Sequence, residues 1–349
     1  MEYRIGLVGC GGIAGAWVGA VGQHEGCRIA LTYDPVREAA EKRAAETGGR
    51  AVDRLDQVLE AGEIDLVVLA TPQGTHPELT EQAAAAGKHV LCEKPMALSL
   101  AGCQRMIDAC ARAGVKLAVG HTLRFWSAFL KVRELVAAGA IGAPVSGSID
   151  RMGAGKARKA GPQQRTGHWR EDVRHTGGSL LEGYVHEIDF TRAVFGDPAA
   201  GVCQIGGGRE HGGLVSPETI QAVVAFESGA LVTMRTGATV AMPTMGYWVA
   251  GTEGGARFES WGGPVRLYRH DEEGPREIGC EPARAYDLEL VDLLRAIEGG
   301  GEPENSGLNG KKNIGLALGL YRSVETGTRV AYDQGLPVGV DAAYQNTKW

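Results

Sequence analysis

The sequence has no apolar run that approaches the roughly 18 residues needed to cross a membrane, which excludes a transmembrane helix. It has no C-x-x-C pair among its seven cysteines, and no two histidines stand at a zinc-like spacing beside a cysteine, so we predict no metal site. It also lacks an excess of positive charge. With 36 Lys and Arg against 42 Asp and Glu, the net charge of −6 argues against a nucleic-acid partner.

The chain also opens without the features of a signal peptide, because Met1 leads directly into the strand-like segment Tyr3–Val8. The odd number and irregular spacing of the cysteines are typical of reduced thiols. We therefore expect a cytoplasmic protein.

The chain is long enough for two domains, and its apolar residues follow a regular pattern. Its 349 residues, 44% of them apolar, are typical of a soluble globular protein with two domains. Within the first 120 residues, short apolar strands alternate with helices of 10 to 15 residues, which predicts a parallel sheet. The predicted strands are Arg4–Val8, Arg28–Tyr33, Asp65–Ala70, His89–Cys92 and Lys116–Val119.

After residue 121 the pattern changes to successive strands, which predicts an α+β domain with a large, mostly antiparallel open sheet. We place the domains at residues 1–121 and 122–349. A turn at Glu227–Gly229 predicts a hairpin. The predicted strands are Val202–Ile205, Ile220–Phe226, Ala230–Thr236, Gly246–Ala250, Ala256–Ser260 and Val265–Arg269, and the predicted helices are Ser127–Ala138, Gly178–Val194, Tyr286–Ile297 and Asn309–Thr326.

A G-x-G-x-x-A fingerprint follows the first strand and opens the first helix, as in Rossmann domains that bind dinucleotides. Gly9 permits the tight turn, Gly11 lets the backbone approach a pyrophosphate, and small Ala14 lets the helix pack on the sheet. Asp34 ends the second strand, 20 residues after Ala14, where a carboxylate accepts ribose hydroxyls and repels a 2′-phosphate. We therefore predict NAD in preference to NADP, although nearby Arg37 can accommodate that phosphate.

Three further segments carry chemical groups. Thr71, Pro72 and His76 follow one apolar strand, and Glu93-Lys94-Pro95 ends the next, so both lie where ligands bind in an open parallel sheet. In the third segment, one predicted helix places Glu182, His186 and Asp189 at positions i, i+4 and i+7, on a single face. A carboxylate beside an imidazole is typical of acid–base catalysis.

Together these segments resemble the Gfo/Idh/MocA oxidoreductase family, which includes glucose–fructose oxidoreductase and inositol dehydrogenase. The resemblance extends through Gly120–Phe125 and Trp169-Arg170-x-Asp172. It implies an N-terminal Rossmann domain, a C-terminal sheet that commonly mediates oligomerisation, and NAD(P)-dependent redox chemistry on sugars or polyols. It also implies a cis peptide before Pro95.

The resemblance assigns the catalytic lysine to Lys94 and the histidine to His186. The carboxylate that is usually aspartate falls at Glu182, which is longer by one methylene and therefore either contacts a different hydroxyl or only orients the histidine. The residues expected to bind cofactor are Gly9, Gly11, Gly12, Ile13, Ala14, Asp34, Arg37, Thr71, Pro72, His76, Glu93 and Lys94. Those expected to bind substrate are Lys94, Arg124, Trp169, Arg170, Glu182 and His186.

Some roles stay open at this point. His76 either supports the cofactor or caps the helix that begins near Pro77. Between Arg151 and His175, seven basic residues face only two acidic ones, so the Gly153–Arg174 loop is a candidate binder of an anionic substrate, with a neutral sugar favoured.

The function predicted first is an NAD-dependent dehydrogenase or ketoreductase acting on a sugar, cyclic polyol or sugar derivative. A second hypothesis is a member that uses bound, self-recycled NAD for transient oxidation during rearrangement, elimination or glycoside cleavage. A third is a catalytically silent NAD-binding regulator. In each case we expect a homodimer or homotetramer formed through the C-terminal sheet.

Overall fold

The computed structural model describes residues 2–154, 173–206, 209–211, 214–216, 219–240, 244–282 and 284–340. The chain forms two compact units. The first contains Met1–Thr122 and Arg284–Lys311, and the second contains Leu123–Ala283 and Lys312–Trp349. Within the described residues, every helix is too short or too polar to span a lipid bilayer.

The first unit is built on a six-stranded sheet in which every pair of neighbouring strands is parallel. Its order, β3-β2-β1-β4-β5-β6, confirms the doubly wound Rossmann fold. The order reverses between β1 and β4, and ligands bind beyond the carboxyl ends of the strands at that point. The strands are β1 (Tyr3–Val8), β2 (Cys27–Tyr33), β3 (Arg50–Ala51), β4 (Leu66–Leu69), β5 (His89–Glu93) and β6 (Leu117–Gly120).

Helices connect these strands and cover the sheet. The longest of the first five begins at a cap, where Ser99 Oγ accepts a hydrogen bond from the Gly102 amide at 3.1 Å, and it ends at Gly114 in the left-handed conformation. The helices are α1 (Ala14–Gly22), α2 (Arg37–Thr47), α3 (Asp56–Leu59), α4 (His76–Ala85) and α5 (Leu100–Ala113).

The second unit contains a ten-stranded sheet of order β16-β15-β14-β13-β7-β12-β11-β8-β17-β18. Only its β7–β12 pair is parallel, which confirms the mostly antiparallel prediction, and β11 and β12 form the predicted hairpin. The sheet's strands are β7 (Pro144–Ala154), β8 (Pro198–Gly206), β11 (Thr219–Phe226), β12 (Leu231–Val240), β13 (Thr244–Gly251), β14 (Gly254–Phe258), β15 (Val265–Arg269), β16 (Arg276–Ile278), β17 (Val330–Asp333) and β18 (Leu336–Pro337). Two further strands, β9 (Arg209–His211) and β10 (Leu214–Ser216), pair with each other in a separate antiparallel sheet.

Central strand β7 is absent from the strands that the sequence pattern predicts. The face of β7 that points away from the helices carries small or polar side chains, including Ser148 and Asp150. The segment therefore lacks the run of large apolar residues from which a buried strand is predicted. An inward position is Gly147, where an added Cβ would lie 2.7 Å from the ring of Phe195. The glycine lets a helix pack directly on the sheet, so packing rather than strand propensity places β7 at the centre.

The helices of this region are α6 (Ser127–Ala137), α7 (Val173–Thr176), α8 (Ser179–Glu182) and α9 (Val185–Phe195). The single helix predicted over Gly178–Val194 is wrong, because a turn at Gly183 and Tyr184 separates two shorter helices. The buried Tyr184 hydroxyl donates to the carbonyl of Ile149 on β7, and the Tyr184 amide bonds back to Ser179 at 3.0 Å. This contact with the sheet interrupts the helix between Glu182 and His186.

An aromatic cluster forms the core beneath the inner face of the large sheet. The ring of Phe129 on α6 lies 4.6 Å from that of Phe190 on α9, 5.2 Å from that of Tyr247 and 5.0 Å from that of Phe258, all in edge-to-face geometry. Tyr247 and Phe258 stack at 4.7 Å. These contacts hold α6 and α9 against β13 and β14.

The last two helices are α10 (Ala285–Gly299) and α11 (Gly307–Thr326). The sequence pattern assigns all of 122–349 to the second domain, but residues 284–311 belong to the first unit. Leu290, Leu293 and Leu294 enter its core beside Trp17, whose ring meets that of Tyr286 edge-to-face at 5.0 Å. The physical reason is that the apolar face of α10 covers α1.

Candidate functional site

The glycine-rich turn after β1 has the geometry that a dinucleotide requires. Gly9 has φ +87°, and a Cβ there would lie 2.5 Å from the carbonyl oxygen of Ala70. Added Cβ atoms at Gly11 and Gly12 would meet nothing within 4 Å, so the backbone is open to an approaching ligand. Helix α1 begins one residue after Ile13, at the buried Ala14. The turn therefore fits a pyrophosphate at the helix N-terminus.

Asp34 lies directly beside this turn. Its Oδ2 accepts the Cys10 amide at 2.8 Å and its Oδ1 accepts the Val36 amide at 2.8 Å, which fixes the carboxylate at the end of β2. A carboxylate has further lone pairs, so it can still accept ribose hydroxyls. Arg37, the residue that can bind a 2′-phosphate, instead bonds Glu41 at 2.8 Å and Asp53 at 2.5 Å.

Arg43 on α2 also acts on the turn, and no sequence motif points to it. Its NH2 donates to the Gly11 carbonyl at 2.9 Å and its Nε to the Cys10 carbonyl at 3.4 Å. Burial raises the pKa of the Cys10 thiol to about 12, so this thiol stays protonated and serves as packing. Arg43 and Asp34 thus hold the turn from its carbonyl and amide sides.

Lys94 follows β5 at the same sheet edge and is half-buried. Glu93 anchors it, since its Oε2 accepts the Lys94 amide at 3.0 Å and its Oε1 accepts the indole N–H of Trp17 at 2.8 Å. The implied cis peptide between Lys94 and Pro95 is confirmed. The family motif identifies Glu93, but Trp17 lies in an apolar helix and carries no signal beyond its size.

His76 ties this loop to the one after β4. The ring is fully buried, with Nε2 2.9 Å from the Thr71 carbonyl oxygen and Nδ1 3.1 Å from that of Pro95 and 3.3 Å from that of Met96. Burial lowers its pKa from the ordinary value. Both ring nitrogens face carbonyl oxygens, and the neutral ring donates to one of them through its single N–H. The N-cap of α4 is Thr75, so the helix-capping alternative for His76 is wrong.

Thr71 and Pro72 lie on the loop that His76 holds. Thr71 Oγ1 is 2.8 Å from Thr75 Oγ1, and the Thr75 hydroxyl donates to the Pro72 carbonyl at 2.7 Å. These contacts fix the loop after β4 at the ligand-binding edge of the sheet.

In the second unit, Glu182 ends α8 and His186 lies in the first turn of α9. The continuous helix predicted through these two residues is therefore interrupted between them. Both side chains are half-buried. Glu182 borders a cavity of about 780 Å³ whose other lining residues include Arg151, Thr176, Ser179, Glu259 and Trp261, a size within the range of small-molecule sites.

Asp189, the third residue of the predicted helical face, belongs to a buried ion pair. Arg124 donates to it through Nε at 2.9 Å and NH2 at 2.8 Å, and Asn313 donates at 2.8 Å. Arg124 thus has a structural partner at the position where the resemblance implies substrate binding. Trp169 and Arg170 lie outside the described residues, as does most of the Gly153–Arg174 loop.

Two family models match this chain. One, described as an oxidoreductase family with an NAD-binding Rossmann fold, matches residues 3–121, and the other, the GFO/IDH/MocA C-terminal domain, matches residues 129–257. The chain belongs to the Gfo/Idh/MocA oxidoreductase family. The predicted family, fold class and NAD cofactor are thereby confirmed, and its relatives include sugar and polyol dehydrogenases.

Individual relatives extend over much or all of the chain. A 1,5-anhydro-D-fructose reductase of Ensifer adhaerens is 29% identical over 339 residues, covering 95% of this chain and 99% of the relative. A 2,7-anhydro-N-acetylneuraminate hydratase of Escherichia coli K12 is 30% identical, covering 73% of this chain and 67% of the relative. The solved aldose-aldose oxidoreductase of Caulobacter crescentus, complexed with glycerol, is 26% identical with a TM-score of 0.83, covering 95% and 100%.

Proposed function

We propose that this oxidoreductase acts on a secondary alcohol or ketone carbon of a sugar, cyclic polyol or sugar derivative, with Lys94 and His186 as its acid–base residues. The observation that carries the proposal is the position of Lys94. It lies at the carboxyl edge of the sheet that also carries the glycine turn, on a loop held by Glu93 and His76. Such anchoring orients a reacting group.

When bound, NAD supplies the nicotinamide carbon that takes or returns a hydride. Lys94, as an ammonium, donates a hydrogen bond to the substrate oxygen and stabilises negative charge that develops there during oxidation. His186 takes the hydroxyl proton, since imidazole is the side chain whose ordinary pKa lies nearest neutrality. In reduction, His186 returns that proton to the oxygen.

Glu182 is proposed to orient the substrate or the histidine, because it borders the cavity one short break before His186. Asp34 is proposed to select NAD over NADP. Its carboxylate is fixed beside the turn, and Arg37 is engaged by two acidic side chains.

The relationship to a hydratase favours a second candidate. The name of the Escherichia coli relative describes water addition or removal rather than net oxidation. In such a cycle the same residues of this chain would hold and move protons while NAD is regenerated within each turnover.

A substrate panel separates the two candidates. Purified enzyme is mixed with NAD or NADH and 1,5-anhydro-D-fructose, myo-inositol, aldoses or 2,7-anhydro-N-acetylneuraminate. Net formation or loss of reduced nicotinamide supports the dehydrogenase or reductase. Product formation without net change, detected by mass spectrometry, supports the self-recycling enzyme. No product with any of these compounds contradicts both.

We also propose that the enzyme is a cytoplasmic homodimer or homotetramer. Support for assembly comes from the outward face of the large sheet, where exposed apolar side chains occur on five strands: Val202, Val223, Leu231, Trp248 and Tyr268. Light scattering is expected to show an oligomer that Leu231→Lys weakens, and a wild-type monomer would contradict this. Support for the cytoplasm comes from seven free cysteines.

A further inference from the structure

The cavity of the second unit contains a guanidinium that no motif identifies. Arg151 on β7 lies opposite Thr236 of β12 and Met245 of β13, and all three residues line the cavity. The side chain is 21% exposed. Its position on a central strand, rather than on a loop, makes it a rigid part of the wall.

Four side chains, including that of Arg151, form a closed ring of contacts. Arg151 NH1 lies 3.3 Å from Glu187 Oε1, and the Tyr247 hydroxyl donates to the same oxygen at 3.1 Å. The Trp261 indole N–H donates to the Tyr247 oxygen at 3.3 Å. Arg151 completes the ring, since its guanidinium carbon lies 5.7 Å from the centre of the Trp261 ring.

The ring also reaches the proposed catalytic segment. Arg151 NH2 donates to the carbonyl of Gly183, within the break between α8 and α9. Glu187 is fully buried and follows His186 directly. These contacts use two of the five N–H groups that an arginine carries, so others remain to bind a ligand in the cavity.

The charge of Arg151 is balanced by buried Glu187. Of the two carboxylates that line the cavity within the described residues, Glu182 and Glu259, the second lies 3.0 Å from Arg257 and 3.6 Å from Arg266. A balanced guanidinium beside an indole matches a neutral ligand with hydroxyl oxygens and an apolar C–H face, rather than a phosphate.

We propose that Arg151 and Trp261 form a sugar-binding platform, in which Arg151 donates to hydroxyl oxygens and the indole packs against the sugar ring. This inference rests on the proposed function, because it names the substrate contacts of that activity. Glu187 and Tyr247 are positioning residues that hold the platform.

Arg151→Lys tests the platform, because lysine keeps the charge but loses the planar fork. With the panel sugar of highest kcat/KM, we expect KM to rise about tenfold to a hundredfold. NAD affinity should stay unchanged and kcat should change less than KM. Trp261→Phe is a second variant that keeps an aromatic face but removes the indole N–H, and it should raise KM less. Arg276→Lys, on outer strand β16 with Glu272 3.7 Å away, is the matched control.

A deoxy analogue of the same sugar distinguishes contact from positioning. Wild type should lose affinity for the analogue that lacks the contacted hydroxyl, whereas Arg151→Lys should treat sugar and analogue nearly alike. Unchanged KM in Arg151→Lys, or undiminished discrimination among all monodeoxy analogues, overturns the platform while leaving the oxidoreductase intact. Inactivity of the wild type toward every panel sugar instead overturns the proposed function.

Discussion

The two units build their chemical groups by different means. In the first unit, backbone conformation positions the functional groups. A glycine turn, a helix N-terminus and the ends of parallel strands place Asp34 and Lys94 at one edge of the sheet. In the second unit, contacts between side chains position them, since Arg151 is held by residues that lie 36 to 110 positions away along the chain. Backbone sites follow from short motifs, whereas side-chain sites follow from packing.

Removing the amine of Lys94 is expected to have the largest effect. Lys94→Ala should lower kcat about 10²–10⁴-fold, because acid–base and oxyanion-stabilising groups contribute that much, while NAD affinity stays near that of wild type. Lys88→Met is the control at the opposite end of β5. Lys88 donates to the carbonyls of Ala61 and Ile64, so its loss should lower the melting temperature rather than kcat. A Lys94→Ala variant with full turnover would break the assignment of the first unit.

Changes at Glu182 sharpen the role of the second unit. Glu182→Gln should lower kcat/KM by roughly tenfold to a hundredfold, because it removes the charge but keeps the shape. Glu182→Asp should retain more activity than Glu182→Gln if the carboxylate is what matters. His186→Ala should lower kcat/KM more than either Glu182 variant in steady-state assays. Equal activity of the Gln and Asp variants would show that the charge has no part in catalysis.

Asp34→Ala should narrow the preference for NAD over NADP by about tenfold or more, measured by titration of each nucleotide. The change removes an acceptor for ribose hydroxyls and a repulsive charge. Arg54→Ala is the control, since it removes an exposed ion pair with Asp56 and should leave the ratio of the two nucleotide affinities unchanged. Tighter binding of NADP than NAD by wild type would contradict the assignment.

The smallest expected effect concerns His76 and stability. Because burial lowers the pKa of His76, the unfolded chain binds its proton first as the pH falls. This contribution is complete above about pH 6.5 and is lost below it, with a slope of at most ~1.4 kcal/mol per pH unit. His76→Gln should therefore flatten the decline in unfolding free energy between about pH 7 and pH 5. The exposed His270→Gln variant should follow wild type, and an unaltered slope in His76→Gln would be the contrary result.

The same contrast explains how far the sequence could be interpreted. The parallel sheet, the glycine turn and the Glu93–Pro95 loop follow from local patterns that short-range sterics dictate. Strand β7 and the break at Tyr184 do not, because Gly147 and Tyr184 act through Phe195 and Ile149, which are distant in sequence. That α10 packs in the first unit could not be predicted either, because an apolar stripe on a helix does not specify which domain core it packs against.

The packing of α10 in the first unit has a consequence for synthesis on the ribosome. The 161 residues from Leu123 to Ala283 separate the two pieces of the first unit. At translation rates of about 5–20 residues per second, roughly 8–32 s pass before Leu290, Leu293 and Leu294 emerge to pack near Trp17. Throughout that interval, helix α1 of the nascent Rossmann unit exposes the apolar surface that α10 later covers. We expect chaperone binding to be most important during this interval.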